Sequence, residues 1–132
     1  MCSSDLVTAR AYGETDELLQ HYALYTKNSQ DRGFSPVGSL KPNDLGVFDM
    51  LGNAYEWCHD QPISYAPSSP RYPREDNGYK EDITGISDDN SRLLRGGAFA
   101  LLPRLLRSAD RTWDRPFLRL TGAGFRPVRT IP

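Results

Sequence analysis

Asp49, Asn53 and Glu56 fall within eight residues of one another around Gly52. Hard cations such as calcium are held by clusters of carboxylate, amide and main-chain carbonyl oxygens at about 2.3–2.6 Å. Glycine at position 52 lets the backbone bend sharply enough to turn its own carbonyl and that of Ala54 toward such an ion. The same residues admit a plainer reading. Asp49 and Asn53 would satisfy backbone donors in a turn, and Glu56 would pair with an arginine. Composition leaves the two readings open. Next along the chain, Cys58 and His59 offer a thiol beside an imidazole, but no second soft ligand lies near in sequence, so a small buried cysteine is the expectation. His21 reads as a helix-surface residue. Further on, Leu101, Leu102, Leu105, Leu106, Trp113, Phe117, Leu118 and Leu120 are interleaved with arginines. That composition suits either a ligand surface or ordinary packing.

The elements that must position these residues are short. Thr15 is a candidate N-cap, with acids in the following turn, for a helix running to about Tyr22. Gly52-Asn53 marks a turn between two apolar stretches. Leu93–Phe99 and Gly124–Arg129 read as strands, and Pro127 places the second at a sheet edge or at its own end. Residues 60–91 carry Pro62, Pro67, Pro70, Pro73, Gly78 and Gly85 among acids and serines, and they form a long irregular excursion. No internal repeat or coiled-coil period is present.

The chain has 132 residues, with 11 Gly, 10 Pro and 2 Cys. That length suits one domain or a part of one. Two cysteines cannot build a disulfide scaffold or a cysteine-based zinc site. No apolar run approaches the roughly 20 residues of a membrane span. The net charge of −1 gives no reason to expect a nucleic-acid partner. The charge is uneven, however: residues 44–91 carry a net −7 and residues 92–132 a net +7. The arginine-rich end could serve an anion, but the equal magnitudes favour pairing with the acidic middle. Met1 to Leu6 lacks the basic and apolar regions of a signal peptide, and it reads as a non-native, adapter-derived tail of the kind found on metagenomic fragments. The domain proper would then run over 7–132. Localisation and oligomeric state are left open.

Three motifs, in order, carry a resemblance. Pro42 to Cys58, with Asn43, Gly46, Asp49-Met50, Gly52-Asn53 and Glu56-Trp57, resembles the first signature of the sulfatase-modifying-factor family, the formylglycine-generating-enzyme-like domains. Leu94-Arg95-Gly96-Gly97, then Arg107-Ser108-Ala109-Asp110-Arg111, then Gly124-Phe125-Arg126, resemble its second signature. The similarity runs from about Tyr12 to Thr130. It implies an α+β, C-type-lectin-like fold with little regular structure and long loops, of which this chain would be the C-terminal portion, truncated at its N-terminus. It also implies a calcium ion held by Asp49, Gly52, Ala54 and Glu56. The family's second calcium loop, expected between Leu24 and Ser35, has no side-chain ligand here that can be matched.

The resemblance implies a redox reaction as well, in which active members oxidise a substrate cysteine to formylglycine with copper(I) on two enzyme thiolates. Those thiolates lie after the arginine-glycine-glycine step. Here Gly97 to Arg107 contains no cysteine, and Leu101 stands where the first would be. Copper is therefore not expected, and no catalytic residue is assigned. The iron-dependent sulfoxide synthases are the other catalytic branch, and the two histidines of this chain lack their spacing. The expectation is a non-catalytic, calcium-stabilised domain that binds a protein or peptide through Leu101, Leu105, Trp113, Phe117 and Arg119. The alternative is an oxidoreductase of the same family whose site is completed by sequence upstream.

Overall fold

Glycine and proline interrupt the chain so often that its regular elements are only two to four residues long. The computed structural model describes residues 9–10, 12–13, 15–29, 33–62 and 90–128. Helix α1 is Leu19–Tyr22 and leads directly into strand β1, Ala23–Leu24; helix α2 follows at Thr26–Ser29. Strands β2 (Leu51–Gly52) and β3 (Tyr55–Trp57) flank the turn singled out above, and β4 is Arg92–Arg95. A 3-10 turn at Pro103–Leu105 precedes β5 (Arg111–Asp114) and β6 (Ala123–Gly124).

Strands β1 and β2 form a parallel pair, with Ala23 opposite Leu51 and Leu24 opposite Gly52. The other four make one sheet in the order β5-β4-β3-β6. Its centre is antiparallel, whereas β6 runs parallel to β3, with Glu56 opposite Gly124. That register matters for the site, because it brings the chain end alongside the turn at 49–56.

The core gathers Leu19, Ala23, Tyr25, Leu51 and Leu106, with Tyr12 and Leu101 packed against it. Apolar burial of this kind is the main favourable term for such loosely structured chains. Two glycines make the close packing possible. A Cβ on Gly52, at φ +76°, would lie 2.2 Å from the Leu24 carbonyl oxygen. One on Gly97, at φ +78°, would lie 2.4 Å from Leu106 Cδ2.

Several expected elements are shorter than their sequence patterns. The first helix begins at Leu19 rather than after Thr15, and Leu18 precedes it without a side-chain cap. Residues 16–18 form a turn instead, in which the Leu19 N–H donates to the Asp16 carbonyl. Leu19 is fully buried and β1 begins only four residues later, so packing leaves room for a single helical turn. The strand expected over 93–99 stops at Arg95, since Gly96 and Gly97 both take positive φ. The last strand covers only Ala123–Gly124, at a sheet edge, and ends three residues before Pro127. The excursion expected over 60–91 lies almost entirely outside the described residues, as does the 1–6 tail. No helix among the described residues is long and apolar enough to cross a membrane.

Candidate functional site

Three residues with positive φ shape the turn: Asp49 at 55°, Gly52 at 76° and Asn53 at 61°. Asp and Asn tolerate this region better than most side chains because their short polar groups bond locally. Here they do so. Asp49 Oδ2 accepts from the Gly38 N–H at 2.7 Å. The Asn53 amide brackets Ser35, accepting from its N–H at 3.1 Å and donating to its carbonyl at 3.2 Å. The turn is pinned from behind as well, since the Gly52 N–H donates to Gly96 and the Asn53 N–H to Leu24.

Glu56 sits on β3, and the parallel register with β6 places Arg126 just beyond it. Arg126 Nε donates to both carboxylate oxygens, at 2.9 and 2.8 Å, and Nη2 donates to Oε1 at 2.5 Å. The same Nη2 lies 2.9 Å from the Phe48 carbonyl and 3.3 Å from that of Asp49. Hydrogen bonding to Glu56 pushes the guanidinium pKa above its ordinary value, outweighing the opposite effect of burial. Of the four expected calcium ligands, Asp49 and Glu56 are joined through Arg126, by the Asp49 carbonyl and the Glu56 carboxylate, so the carboxylate already holds a cationic group. As arranged, these donors do not fit a calcium ion unless Arg126 moves. Among the described residues no group of three or more His, Cys, Asp or Glu is placed to hold a metal.

The segment where the family's thiolates lie is used for packing. Ala98 is buried, Leu101 packs on the core and Leu106 is fully buried. Its carbonyls are tied to the first described residues. Arg10, itself buried, donates from Nε to Leu106 and from Nη2 to Pro103, both at 2.9 Å, and pairs with Asp16 at 2.8 Å. Burial raises the pKa of the Tyr12 phenol beyond the ordinary tyrosine range. Its hydroxyl oxygen is buried with no hydrogen-bond partner among the described residues. Burial likewise raises Tyr25, helped by Asp16, and Tyr55, helped by Asp110.

The five residues expected to line a ligand surface divide. Trp113 and Phe117 are 58% and 53% exposed, Arg119 is exposed, and the Arg115 guanidinium lies 6.0 Å above the Phe117 ring. Leu101 and Leu105 are half-buried, and Leu101 belongs to the packing around the core. Cys58 is half-buried with Sγ 3.8 Å from the Glu56 carbonyl, beside an exposed His59. Sequence reasoning did not find the cleft of about 650 Å³ beside the Glu56–Arg126 pair, walled by Phe34, Val37, Phe48 and Phe125. Asp49, Asn53, Ala54 and Glu56 of the turn and Phe125-Arg126 of the last motif line it and were marked in sequence, whereas Phe34 and Val37 come from an irregular loop with no such signal.

Over residues 3–131 the chain matches the Sulfatase-modifying factor enzyme 1-like domain. Among curated proteins it is 33% identical over 96 residues to a serine/threonine-protein kinase, pkn1, of Chlamydia pneumoniae, covering 72% of this chain and 14% of that one. It is 31% identical over 107 residues to hercynine oxygenase of Mycolicibacterium smegmatis, covering 79% of this chain and 24% of the relative. Among solved structures, Treponema denticola variable protein 1 superposes with a TM-score of 0.63 at 30% identity, over 84% of this chain and 37% of that chain. The chain therefore spans about a quarter or less of the curated relatives just given. The sparse α+β, C-type-lectin-like fold expected from the motifs is the one observed.

Proposed function

The chain belongs to the sulfatase-modifying factor family, and on that premise we propose that it is a non-catalytic domain that binds a protein or peptide. The observation that carries this reading is the exposure of Trp113, Phe117 and Arg119, with Arg115 above the Phe117 ring. Aromatic and arginine side chains contribute most of the energy at protein interfaces. A ring already in water is available to a partner at little cost in ordering. The aliphatic segment from Ala98 to Leu106 supports the non-catalytic part, because a leucine can neither ligate copper nor exchange electrons.

A second reading, an oxidoreductase, is favoured by the similarity to hercynine oxygenase. It requires the reacting groups to come from outside the matched stretch. Calcium at Asp49, Gly52, Ala54 and Glu56 is the cofactor that the family resemblance brings, and the Arg126 guanidinium on Glu56 weighs against it.

Selection from a random peptide display library tests the binding role. Peptides enriched on the wild-type chain are expected to lose at least about tenfold in affinity against a Trp113→Ala/Phe117→Ala variant. No enrichment, or equal binding to the variant, defeats the reading. Aldehyde formation on a cysteine-containing sulfatase peptide with copper and oxygen would establish the oxidoreductase instead.

A further inference from the structure

Four oxygens converge on one nitrogen-bearing group in this turn: the two of the Glu56 carboxylate and the carbonyls of Phe48 and Asp49. We infer that the Arg126 guanidinium is the structural cation of the 48–56 turn, standing in the place of a divalent ion and making the turn independent of calcium. This inference is separate from the binding role proposed above and does not rest on it.

The guanidinium takes the Glu56 carboxylate of the expected calcium set and, in place of the Gly52 and Ala54 carbonyls, those of Phe48 and Asp49. Nη2 lies 2.5 Å from Glu56 Oε1, 2.9 Å from the Phe48 oxygen and 3.3 Å from the Asp49 oxygen. A calcium ion at that point would need every oxygen at about 2.3–2.6 Å and several further ligands, so three oxygens at these distances suit a guanidinium rather than an ion. The guanidinium fills the position with three advantages for a small domain. It is covalently part of the chain, so no ion has to be captured from solution. Its planar fork matches a carboxylate in bidentate fashion. It also keeps its charge at any physiological pH.

The strand register makes the replacement possible. Glu56 is opposite Gly124, the last residue of β6, and Arg126 lies two residues beyond that pair, past the end of the strand. Gly124 brings no side chain, and a Cβ there would already be 3.5 Å from Ala54 Cβ. The arginine can therefore fold back over the glycine to reach the carboxylate. Through Phe48 and Asp49 it also clamps the turn onto the sheet edge, so one side chain joins three stretches of chain.

Thermal unfolding of the full chain in chelator and in millimolar calcium tests this directly. The expected result is one melting temperature in both. A rise in calcium overturns the proposal, since an ion would then be adding what the guanidinium is said to supply. Arg126→Gln removes the charge and keeps a hydrogen-bonding side chain. It is expected to melt on the order of 5–10 °C lower in chelator and to regain stability in calcium but not in magnesium, which demands a shorter, octahedral shell. A variant that loses nothing, or that loses stability and regains none in calcium, overturns it too. Should Arg126→Gln fail to fold in either buffer, Arg126→Lys decides. It keeps a single charge and is expected to fold, melt below wild type and ignore calcium; an unfolded or calcium-dependent lysine variant defeats the inference.

Discussion

Gly52 lies directly against the backbone of Leu24, in the parallel pair that joins the first described half of the chain to the turn carrying Asp49 and Glu56. A Cβ at position 52 would approach the Leu24 carbonyl oxygen to 2.2 Å and its nitrogen to 2.8 Å. Both atoms are main chain and cannot swing aside.

Gly52→Ala is therefore expected to cost at least about 3 kcal/mol, combining the left-handed backbone with a collision that separates β1 from β2. Gly46 provides the control. Its φ is almost the same, +75°, but nothing lies within 4 Å of its Cβ position. Gly46→Ala should cost only the conformational part, about 1–2 kcal/mol. Urea denaturation of the two variants measures the difference, and equal losses would show that strain rather than contact governs position 52.

Arg10 and Asp16 form an ion pair whose partners differ greatly in importance. The arginine side chain is 4% exposed and the aspartate 61%. Arg10→Ala strands the carbonyls of Leu106 and Pro103 as well as breaking the pair, for an expected loss of about 3 kcal/mol. Asp16→Asn removes only a solvent-exposed charge and is expected to cost below about 1 kcal/mol. Chemical denaturation of both variants checks the asymmetry, and a comparable loss for Asp16→Asn would contradict it.

The Tyr12 hydroxyl is buried with no partner among the described residues, while its ring stacks on Tyr22 at 4.5 Å. Removing an unsatisfied buried group of this kind is favourable or neutral, so Tyr12→Phe is expected to raise stability by up to about 1 kcal/mol. The phenol pKa is higher in the folded chain than in the unfolded one, where it is about 10. Its contribution is thus fully present below about pH 10 and is lost as pH rises further, because only the unfolded state can then release the proton. Unfolding free energies between pH 8 and 12 should fall less steeply for Tyr12→Phe than for wild type. Identical slopes would mean that the group titrates alike in both states.

Leu106 and Trp113 separate packing from presentation. Leu106 is fully buried, and Leu106→Ala is expected to cost about 2–5 kcal/mol through the cavity it leaves. Trp113 is 58% exposed, so Trp113→Ala is expected to change stability by below about 1 kcal/mol. Thermal melts compare them. A large loss at Trp113 would assign the residue to structure and remove it from the proposed contact surface.

How much of this was legible beforehand can be seen residue by residue. Spacing identified the turn at Gly52, because it depends on what a single residue type permits locally, whereas the strand expected through Gly96 and Gly97 stops at Arg95, since both glycines take positive φ. The family and its fold were legible through three motifs in fixed order. That Glu56 pairs with an arginine was legible; which arginine was not. Arg126 is 70 residues away, and only the parallel register of β3 with β6 brings it to the carboxylate. Nor could the pattern of leucines and arginines after Gly97 be sorted into inside and outside. Irregular backbone has no period from which to read a face, so the approach of Leu101 to the core and of Trp113 to water was decided by tertiary packing alone.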